Sequence, residues 1–448
     1  MADTQPPAAQ PQAAESSENL HTDPVTGEKI SKSELKRRQK QREKDEKKKE
    51  KEATLPARPK KEKKDDVEEL NPNQYFEIRS NKINALRASN RALAYPHKFA
   101  VNSNLPAFVS KYAGLTKGQT EPDTQVRIGL RVIARRSQSG SLHFYVCKAE
   151  GVTVQVMCQL QESKSDVPFE KQHENIQRGD IIGVIGFPGR TSPKKGGEGE
   201  LSIFAREVIL LTPCLRMLPT EHFGYKDQEQ RHRNRFLDLI MNDSTRKTFI
   251  TRTKVVKYIR KFFDERDFLE VQTPMMNKIA GGATARPFKT FHNEYQSDLY
   301  MRIAPELYLK QLVVGGLERV YELGRQFSSG ADLTHNPEFT TVEFYQAYAD
   351  YNDVMDMTEE LVSGMVKEIT GGYETVYHTQ SGEVFNVNWQ TPWARVPMIP
   401  TLEEKTGEKF PPANELHTEE ANKFLRNLLK KTGVQCSEPL TNARMIDK

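Results

Sequence analysis

The chain is poor in cysteine and in long apolar runs. Its 448 residues include only four cysteines, with no C-x-x-C pair and no histidine at zinc-ligand spacing. This scarcity argues against a disulfide-stapled or zinc-binding fold and is typical of a reducing compartment. No segment approaches about 18 consecutive apolar residues, and the Ala-, Pro- and Gln-rich start has no apolar core. We therefore expect neither a membrane span nor a secretory signal, and a cytoplasmic protein.

Basic residues are concentrated in one segment near the start. The net charge is +5, and residues 32–64 hold sixteen Lys or Arg against seven Asp or Glu, so the rest of the chain is net acidic. Residues 1–70 are of low complexity and lack an apolar stripe, which predicts a disordered or helical tail. Such a tail can bind nucleic-acid phosphates without reading their sequence. A merely solvated tail and a nuclear-localisation signal are the open alternatives.

Residues 71–218 show a helical lead-in followed by the pattern of a small β-barrel. Five short strands with one helical insert are what an OB-fold requires. The predicted strands are 126–134, 142–146, 152–159, 181–187 and 201–211, with the insert at 169–176. An OB barrel binds single-stranded nucleic acid by stacking bases on aromatic rings, so Phe144 is either such a platform or an ordinary core residue.

Residues 219–448 predict a second domain in which carboxylates lie among apolar residues. A helix is predicted to begin at Pro305, and strands are predicted at 319–327 and 339–348. The carboxylates of this region are Glu306, Glu318, Glu322, Glu338 and Glu343. A buried carboxylate needs a cationic partner. Either arginines of the chain (Arg302, Arg319 or Arg325) supply it, or some carboxylates await a cationic ligand.

Two runs in this domain resemble a known family. The runs R-V-Y-E-L-G-R-Q-F at 319–327 and D-L-T-H-N-P-E-F-T-T-V-E-F-Y at 332–345 resemble motif 2 of class II aminoacyl-tRNA synthetases. The run A-P-E-L, which contains Glu306, is similar to the lysine enzymes, whereas the related aspartate and asparagine enzymes typically carry Gln there. The resemblance extends from about residue 71 to Lys448 and is to eukaryotic cytosolic lysyl-tRNA synthetases.

The resemblance implies an α+β multidomain protein. Its parts would be a disordered or helical basic tail (1–70) that adds tRNA affinity, a five-stranded OB-fold anticodon domain (71–218) and a class II antiparallel sheet flanked by helices (219–448). The helix and strand at 244–274 resemble motif 1, which implies a homodimer. The implied reaction joins lysine to ATP with Mg²⁺ and transfers the lysyl group to tRNA(Lys).

Site residues follow from the same resemblance, position by position. Lysine would be bound by Gly282, Glu306, Glu343 and Tyr345. ATP would contact His335 and Asn336. The anticodon would contact Arg136, Phe144 and Gln155.

The sequence departs from the family pattern in two places. The family's motif 2 loop reads F-R-N-E-G-[IL]-D, whereas residues 327–332 read F-S-S-G-A-D, without the Arg and the Glu. Motif 3 does not occur before Lys448, so we expect a catalytic domain truncated before motif 3, with the Mg²⁺ ligands beyond this C-terminus. Both departures predict impaired catalysis and leave the catalytic residues unassigned. The alternatives are a noncatalytic tRNA-binding or dimerising paralogue, a truncated isoform and, more distantly, an aspartyl- or asparaginyl-tRNA synthetase.

Overall fold

The chain divides into two compact units, Met1–Thr220 and Glu221–Lys448. The computed structural model describes residues 20–53, 71–193, 196–219, 225–283, 285–330, 335–379 and 382–448. In the described residues, no helix is both long enough and apolar enough to cross a membrane. The further division of the first unit near residue 70 stays a prediction.

The described part of the N-terminal tail is a hairpin followed by a helix. Strands β1 (Leu20–Thr22) and β2 (Lys29–Ser31) pair antiparallel, and α1 (Lys32–Ala53) follows. Asp23, in the hairpin turn, accepts two hydrogen bonds from the Arg42 guanidinium at 2.8 and 2.9 Å. Residues 32–53 therefore adopt the helical one of the two predicted states, and the bidentate pair ties this helix to the hairpin turn. Residues 1–19 and 54–70 lie outside the described part.

Three helices precede the barrel: α2 (Pro72–Ser89), α3 (Arg91–Ala94) and α4 (Leu105–Tyr112). Asn71 begins α2 with a capping box, in which its side chain accepts from the Asn73 amide and the Gln74 side chain accepts from the Asn71 amide. These reciprocal bonds satisfy amides that a helix start leaves without partners. The helical lead-in predicted from the sequence is confirmed.

The predicted five-stranded barrel is confirmed and is closed. Its strands are β3 (Val126–Ser139), β4 (Leu142–Ala149), β5 (Val152–Gln159), β6 (Ile181–Arg190) and β7 (Leu201–Thr212), in the order β3-β4-β5-β7-β6, and the insert is α5 (Phe169–Glu174). Tyr145, Val156 and Ile203 fill its interior and are fully buried. Cys147 and Cys158 lie in the same interior, where burial raises the pKa of both thiols and keeps them protonated.

The second unit begins with three helices: α6 (Gln228–Arg233), α7 (Arg235–Met241) and α8 (Asp243–Asp264). Residues 228–240 also resemble a single signature helix of the same family, and the resulting prediction of one continuous helix there is wrong. Asn234, with φ −117° and ψ 59°, leaves the helical region and separates α6 from α7. The buried Asp238 then accepts hydrogen bonds from Arg231 on one side of the break and Arg235 on the other.

Two three-stranded sheets and a short helix form the middle of this unit. One sheet has the order β10-β11-β9, from β9 (Met276–Asn277), β10 (Lys289–His292) and β11 (Ser297–Met301). The other has the order β13-β12-β8, from β8 (Leu269–Glu270), β12 (Arg319–Phe327) and β13 (Glu338–Gln346). Helix α9 (Glu306–Val314) lies between β11 and β12 in the chain and packs against β12 and β13.

The remaining elements follow in order: α10 (Tyr351–Thr370), the hairpin β14 (Glu374–His378) and β15 (Val384–Asn388), α11 (Met398–Thr406), α12 (Glu419–Thr432) and α13 (Asn442–Ile446). One face of the β12–β13 sheet packs against α8 and α10. Phe263, Tyr321 and Leu361 are buried there, with Val342 and Phe344 packed against them. Alternation along a strand places the intervening side chains on the opposite face.

Candidate functional site

The face of the β12–β13 sheet opposite that core carries the predicted carboxylates. In the antiparallel register, Glu322 lies opposite Glu343, and Val320 lies opposite Tyr345. The neighbours Tyr321 and Phe344 point into the core on the other side. The strand alternation predicted from the sequence is thus confirmed, and Glu322, Glu343 and Tyr345 share one face.

Glu322 is neutralised by an arginine of the chain. Its Oε1 accepts from Arg302 Nη1 at 2.5 Å, and both side chains are only 4% exposed. Its Oε2 accepts from the Thr273 hydroxyl at 2.6 Å and from the Thr273 amide at 3.2 Å. Both carboxylate oxygens of Glu322 therefore have a hydrogen-bond donor, which is what a buried ion pair requires. The internal ion-pair interpretation holds for Glu322, and Arg325 similarly pairs with Glu338 at 2.7 Å.

Glu343 has no guanidinium partner among the described residues. It is half-buried, and its Oε1 accepts from the Tyr345 hydroxyl at 2.6 Å. Burial raises the pKa of the Glu343 carboxyl, the Tyr345 hydrogen bond lowers it, and the charge of Glu306 raises it further. Lys310 and Tyr345 connect the two carboxylates, since Lys310 Nζ lies 2.6 Å from Glu306 Oε1 and 5.6 Å from the Tyr345 ring centroid, and the Tyr345 hydroxyl donates to Glu343.

Glu306 begins α9 and faces the same site. Its Oε1 accepts from Lys310 Nζ at 2.6 Å, one helical turn away, and about a third of its side chain is exposed. Gly282 approaches closely, because a Cβ there would lie 3.2 Å from the Ala304 carbonyl oxygen and 3.6 Å from Glu306 Cβ. With a φ of +90°, Gly282 also adopts a backbone conformation that other residues rarely take. Gly282 therefore lies beside Glu306, and the binding of lysine by these two residues together with Glu343 and Tyr345 stays a prediction.

The loop between β12 and β13 is described only in part. Ser329 donates from both its amide and its hydroxyl to the Arg286 carbonyl oxygen, each at 2.9 Å. Residues 331–334 lie outside the described part. His335 and Asn336, predicted to contact ATP, follow them with exposed side chains.

The three predicted anticodon residues lie on the outer surface of the barrel. Arg136 pairs with Phe144 across β3 and β4, and its guanidinium carbon lies 5.3 Å from the Phe144 ring centroid. Phe144 is half-buried while its neighbour Tyr145 fills the interior, so Phe144 is not a core residue. Gln155, on β5, donates to Glu200 at 2.9 Å and accepts from Ser202 at 3.1 Å, which leaves one N–H and one oxygen lone pair of its amide for a base.

Sequence reasoning missed several partners of these residues. Lys310 has a recognisable signal, because it stands four residues after Glu306 on a predicted helix. Thr273 and Glu200 have none, because both come from segments distant in the chain. Where the structure describes side chains, no group of three His, Cys, Asp or Glu residues is arranged to hold a metal ion. No residue is therefore assigned to Mg²⁺.

Comparisons with known proteins agree with this geometry. The family described as "tRNA synthetases class II (D, K and N)" matches residues 227–434. The lysine–tRNA ligase cla4 of Cladosporium cladosporioides is 57% identical over 432 residues, which cover 96% of this chain and 72% of that protein.

Two further relatives come from distant organisms. A probable cytoplasmic lysine–tRNA ligase of Encephalitozoon cuniculi is 43% identical, covering 80% of this chain and 69% of its own length. A lysine–tRNA ligase of Halalkalibacterium halodurans is 38% identical, covering 85% of this chain and 72% of its own length. On this evidence the chain belongs to the lysine–tRNA ligase family of class II aminoacyl-tRNA synthetases.

Proposed function

We propose that this chain binds free L-lysine on the open face of the β12–β13 sheet, as the amino-acid substrate of a lysine–tRNA ligase. The observation that carries this proposal is the contrast among three carboxylates. Glu322 is locked to Arg302, whereas Glu306 and Glu343 have no guanidinium partner among the described residues and are linked through Lys310 and Tyr345. Two such carboxylates suit the two ammonium groups of lysine.

The proposed roles follow the two ends of the ligand. Glu306 would accept the α-ammonium group, and Glu343, held by the Tyr345 hydroxyl, would accept the ε-ammonium group. Gly282 would allow the backbone to approach the amino acid. A site with buried carboxylates rejects analogues that lack the matching ammonium group, often by about 10⁴, because the carboxylate is left unpaired.

Isothermal titration calorimetry of the full chain tests this role. L-Lysine should bind, and L-norleucine, which lacks the ε-ammonium group, should bind at least about tenfold more weakly. Glu343→Gln should reduce this preference, while Glu338→Gln, on the same strand but paired with Arg325, should leave it unchanged. Equal affinity for the two ligands in the unsubstituted chain would contradict the proposal.

We propose further that the motif 2 loop limits adenylate formation. In this reaction the lysine carboxylate attacks the α-phosphorus of ATP and pyrophosphate leaves, so no protein nucleophile is needed. Catalysis then depends on positioning and on cationic groups that stabilise the phosphate oxygens. The sequence has Ser328 and Ser329 where the family pattern has Arg, and loss of one such donor typically costs about 10² to 10³ in rate. Arg302 is buried in its pair with Glu322 and Arg325 is paired with Glu338 at the surface, so we propose that neither substitutes for it.

Lysine-dependent exchange of pyrophosphate into ATP measures that step. The expected exchange rate is about 10²- to 10³-fold lower than that of the cla4 relative assayed in parallel. His335 and Asn336 are the proposed ATP contacts. Exchange at the relative's level would contradict the impairment.

The second candidate function, a noncatalytic tRNA-binding protein, is favoured by the same Ser-Ser-Gly loop. Absent exchange together with retained tRNA binding would support it.

The remaining assignments concern assembly and location. We propose a homodimer through the 244–274 region, supported by Phe249 and Ile250, which are exposed by 51% and 45% on α8. Analytical ultracentrifugation should then show a dimer that Phe249→Asp and Ile250→Asp dissociate. A cytoplasmic location is proposed because the related lysine–tRNA ligases of Encephalitozoon cuniculi and Vairimorpha ceranae are described as cytoplasmic.

A further inference from the structure

Lys310 places a positive charge among the carboxylates proposed to bind lysine. Its Nζ lies 2.6 Å from Glu306 Oε1 and 5.6 Å from the centroid of the Tyr345 ring. Its charge also acts on Glu343, where it partly offsets the rise in pKa caused by burial. One ammonium group thus meets a carboxylate, an aromatic ring and the field of a second carboxylate. These are the groups that an ammonium ligand would use.

A simple helix-surface ion pair does not account for this arrangement. Glu and Lys four residues apart on a helix commonly pair, and the pair contributes little when exposed. That explains the Glu306 contact but not the position of the ammonium group over Tyr345, which belongs to β13. Lys409 offers the contrast, because it pairs with Glu403 at 2.7 Å and contacts no aromatic ring in the described part of the chain.

We propose that Lys310 is an internal counter-ion that holds the cation position of the site until a ligand ammonium group displaces it. This inference rests on the lysine-binding role proposed above. The side chain of Lys310 is 56% exposed, so it can swing into solvent without leaving a buried cavity. Lys310 thereby sets affinity, because each ligand must compete with a cation that the protein already carries. It also keeps two neighbouring carboxylates from repelling each other in the ligand-free state.

Calorimetric titration of L-lysine into the full chain at low salt tests this competition. Lys310→Met should lower the dissociation constant about threefold, the size of a partly exposed ion pair. Lys310→Arg keeps the charge and should stay close to the unsubstituted chain, and Lys409→Met is the matched control. The gain in Lys310→Met should shrink at high salt, because exposed charges are screened.

The outcomes separate this inference from the proposed function. Tighter binding by Lys310→Met, with no change in the two other variants, supports the counter-ion role. Unchanged or weaker binding by Lys310→Met, when the unsubstituted chain binds lysine, overturns that role and leaves the lysine site standing. Absence of lysine binding in every variant overturns both. If Lys310→Met lowers the melting temperature, Lys310→Gln gives the same comparison with a polar side chain.

Discussion

The two units bury carboxylates in different ways. In the barrel unit, Asp180 is fully buried and accepts from Arg79 at 2.6 Å, from the Gln177 amide at 2.8 Å and from the Cys214 amide at 2.6 Å. In the second unit, Glu343 is half-buried and accepts from the Tyr345 hydroxyl, with no cation bonded to it among the described residues.

Asp180 and Glu343 differ in how completely the protein pairs their carboxylates. Asp180 has donors on both oxygens and holds Gly179 in a turn where a Cβ would lie 2.8 Å from Cys214 Sγ. Both oxygens of Asp180 are thus satisfied, although Arg79 Nε is buried without a hydrogen-bond partner. Glu322 shows that the second unit can also complete a buried ion pair, since it accepts from both Arg302 and Thr273. Glu343 therefore differs from Asp180 and Glu322 in having no cation bonded to it among the described residues, and a ligand of opposite charge can stabilise such a carboxylate.

The largest expected effect is on stability and concerns the buried ion pair of Asp180. Asp180→Ala should lower the free energy of unfolding of the barrel unit by about 3–5 kcal/mol, because Arg79 is left buried without its carboxylate. Urea unfolding followed by circular dichroism measures this loss. The matched control is Glu174→Ala, which removes an exposed pair with Lys171 and should cost less than about 0.5 kcal/mol. Equal losses would remove the distinction between the two kinds of carboxylate.

The next effect concerns ligand affinity on the functional side. Glu306→Gln should weaken L-lysine binding about 10- to 100-fold, because one charged hydrogen bond to an ammonium group is replaced by a neutral one. Its melting temperature should change little, since the side chain is partly exposed. Calorimetric titration beside differential scanning fluorimetry measures both quantities. A fall in stability without a change in affinity would assign Glu306 to the fold instead.

A third effect tests the barrel surface. Phe144→Ala should weaken tRNA binding by about 5- to 100-fold, the range of one lost base-stacking contact. A gel-shift titration at fixed salt measures it, because phosphate contacts make affinity salt-dependent. Leu93→Ala, which truncates an exposed apolar residue of α3, is the control. Equal binding by the two variants would contradict a stacking role for Phe144.

The smallest effect is a gain in stability. Burial raises the pKa of Glu343 above its ordinary value of 4.5, so the folded state binds its proton more tightly than the unfolded state. The stability associated with that proton is present below about pH 4.5 and is lost as pH rises through the raised pKa. Glu343→Gln should therefore raise the melting temperature of the ligand-free chain by about 2 °C at neutral pH and not at pH 4. A lower melting temperature at neutral pH would show that the carboxylate stabilises the fold.

Local pattern was sufficient to predict most of the secondary structure. Alternation located β12 at 319–327 with the bounds that the structure gives, and the five barrel strands begin at their predicted residues and end within five residues of their predicted ends. The expectation of one helix over 228–240, which came from the family resemblance, failed at Asn234, where the break depends on the backbone conformation of a single residue. The sequence left the tail as either disordered or helical. It could not choose, because the tie between helix and hairpin is a contact between Asp23 and Arg42, nineteen residues apart.

The site could be predicted only as far as local chemistry reaches. Sequence pattern identified a set of carboxylates. It could not tell those paired within the chain from those proposed to bind a ligand, because Arg302 and Thr273 contact Glu322 only in the folded protein. The choice of Glu306 and Glu343 came from the family resemblance. The structure adds the physical reason for that choice, since these two are the carboxylates whose partners, Lys310 and Tyr345, a ligand can replace or share.

A crystal structure of the chain with L-lysine tests the central claim most directly. The account predicts one ligand ammonium group about 2.7–2.9 Å from the Glu306 carboxylate and the other at a similar distance from Glu343, with Lys310 turned away. A ligand bound elsewhere, with Glu306 still on Lys310 and Glu343 still only on Tyr345, would contradict it.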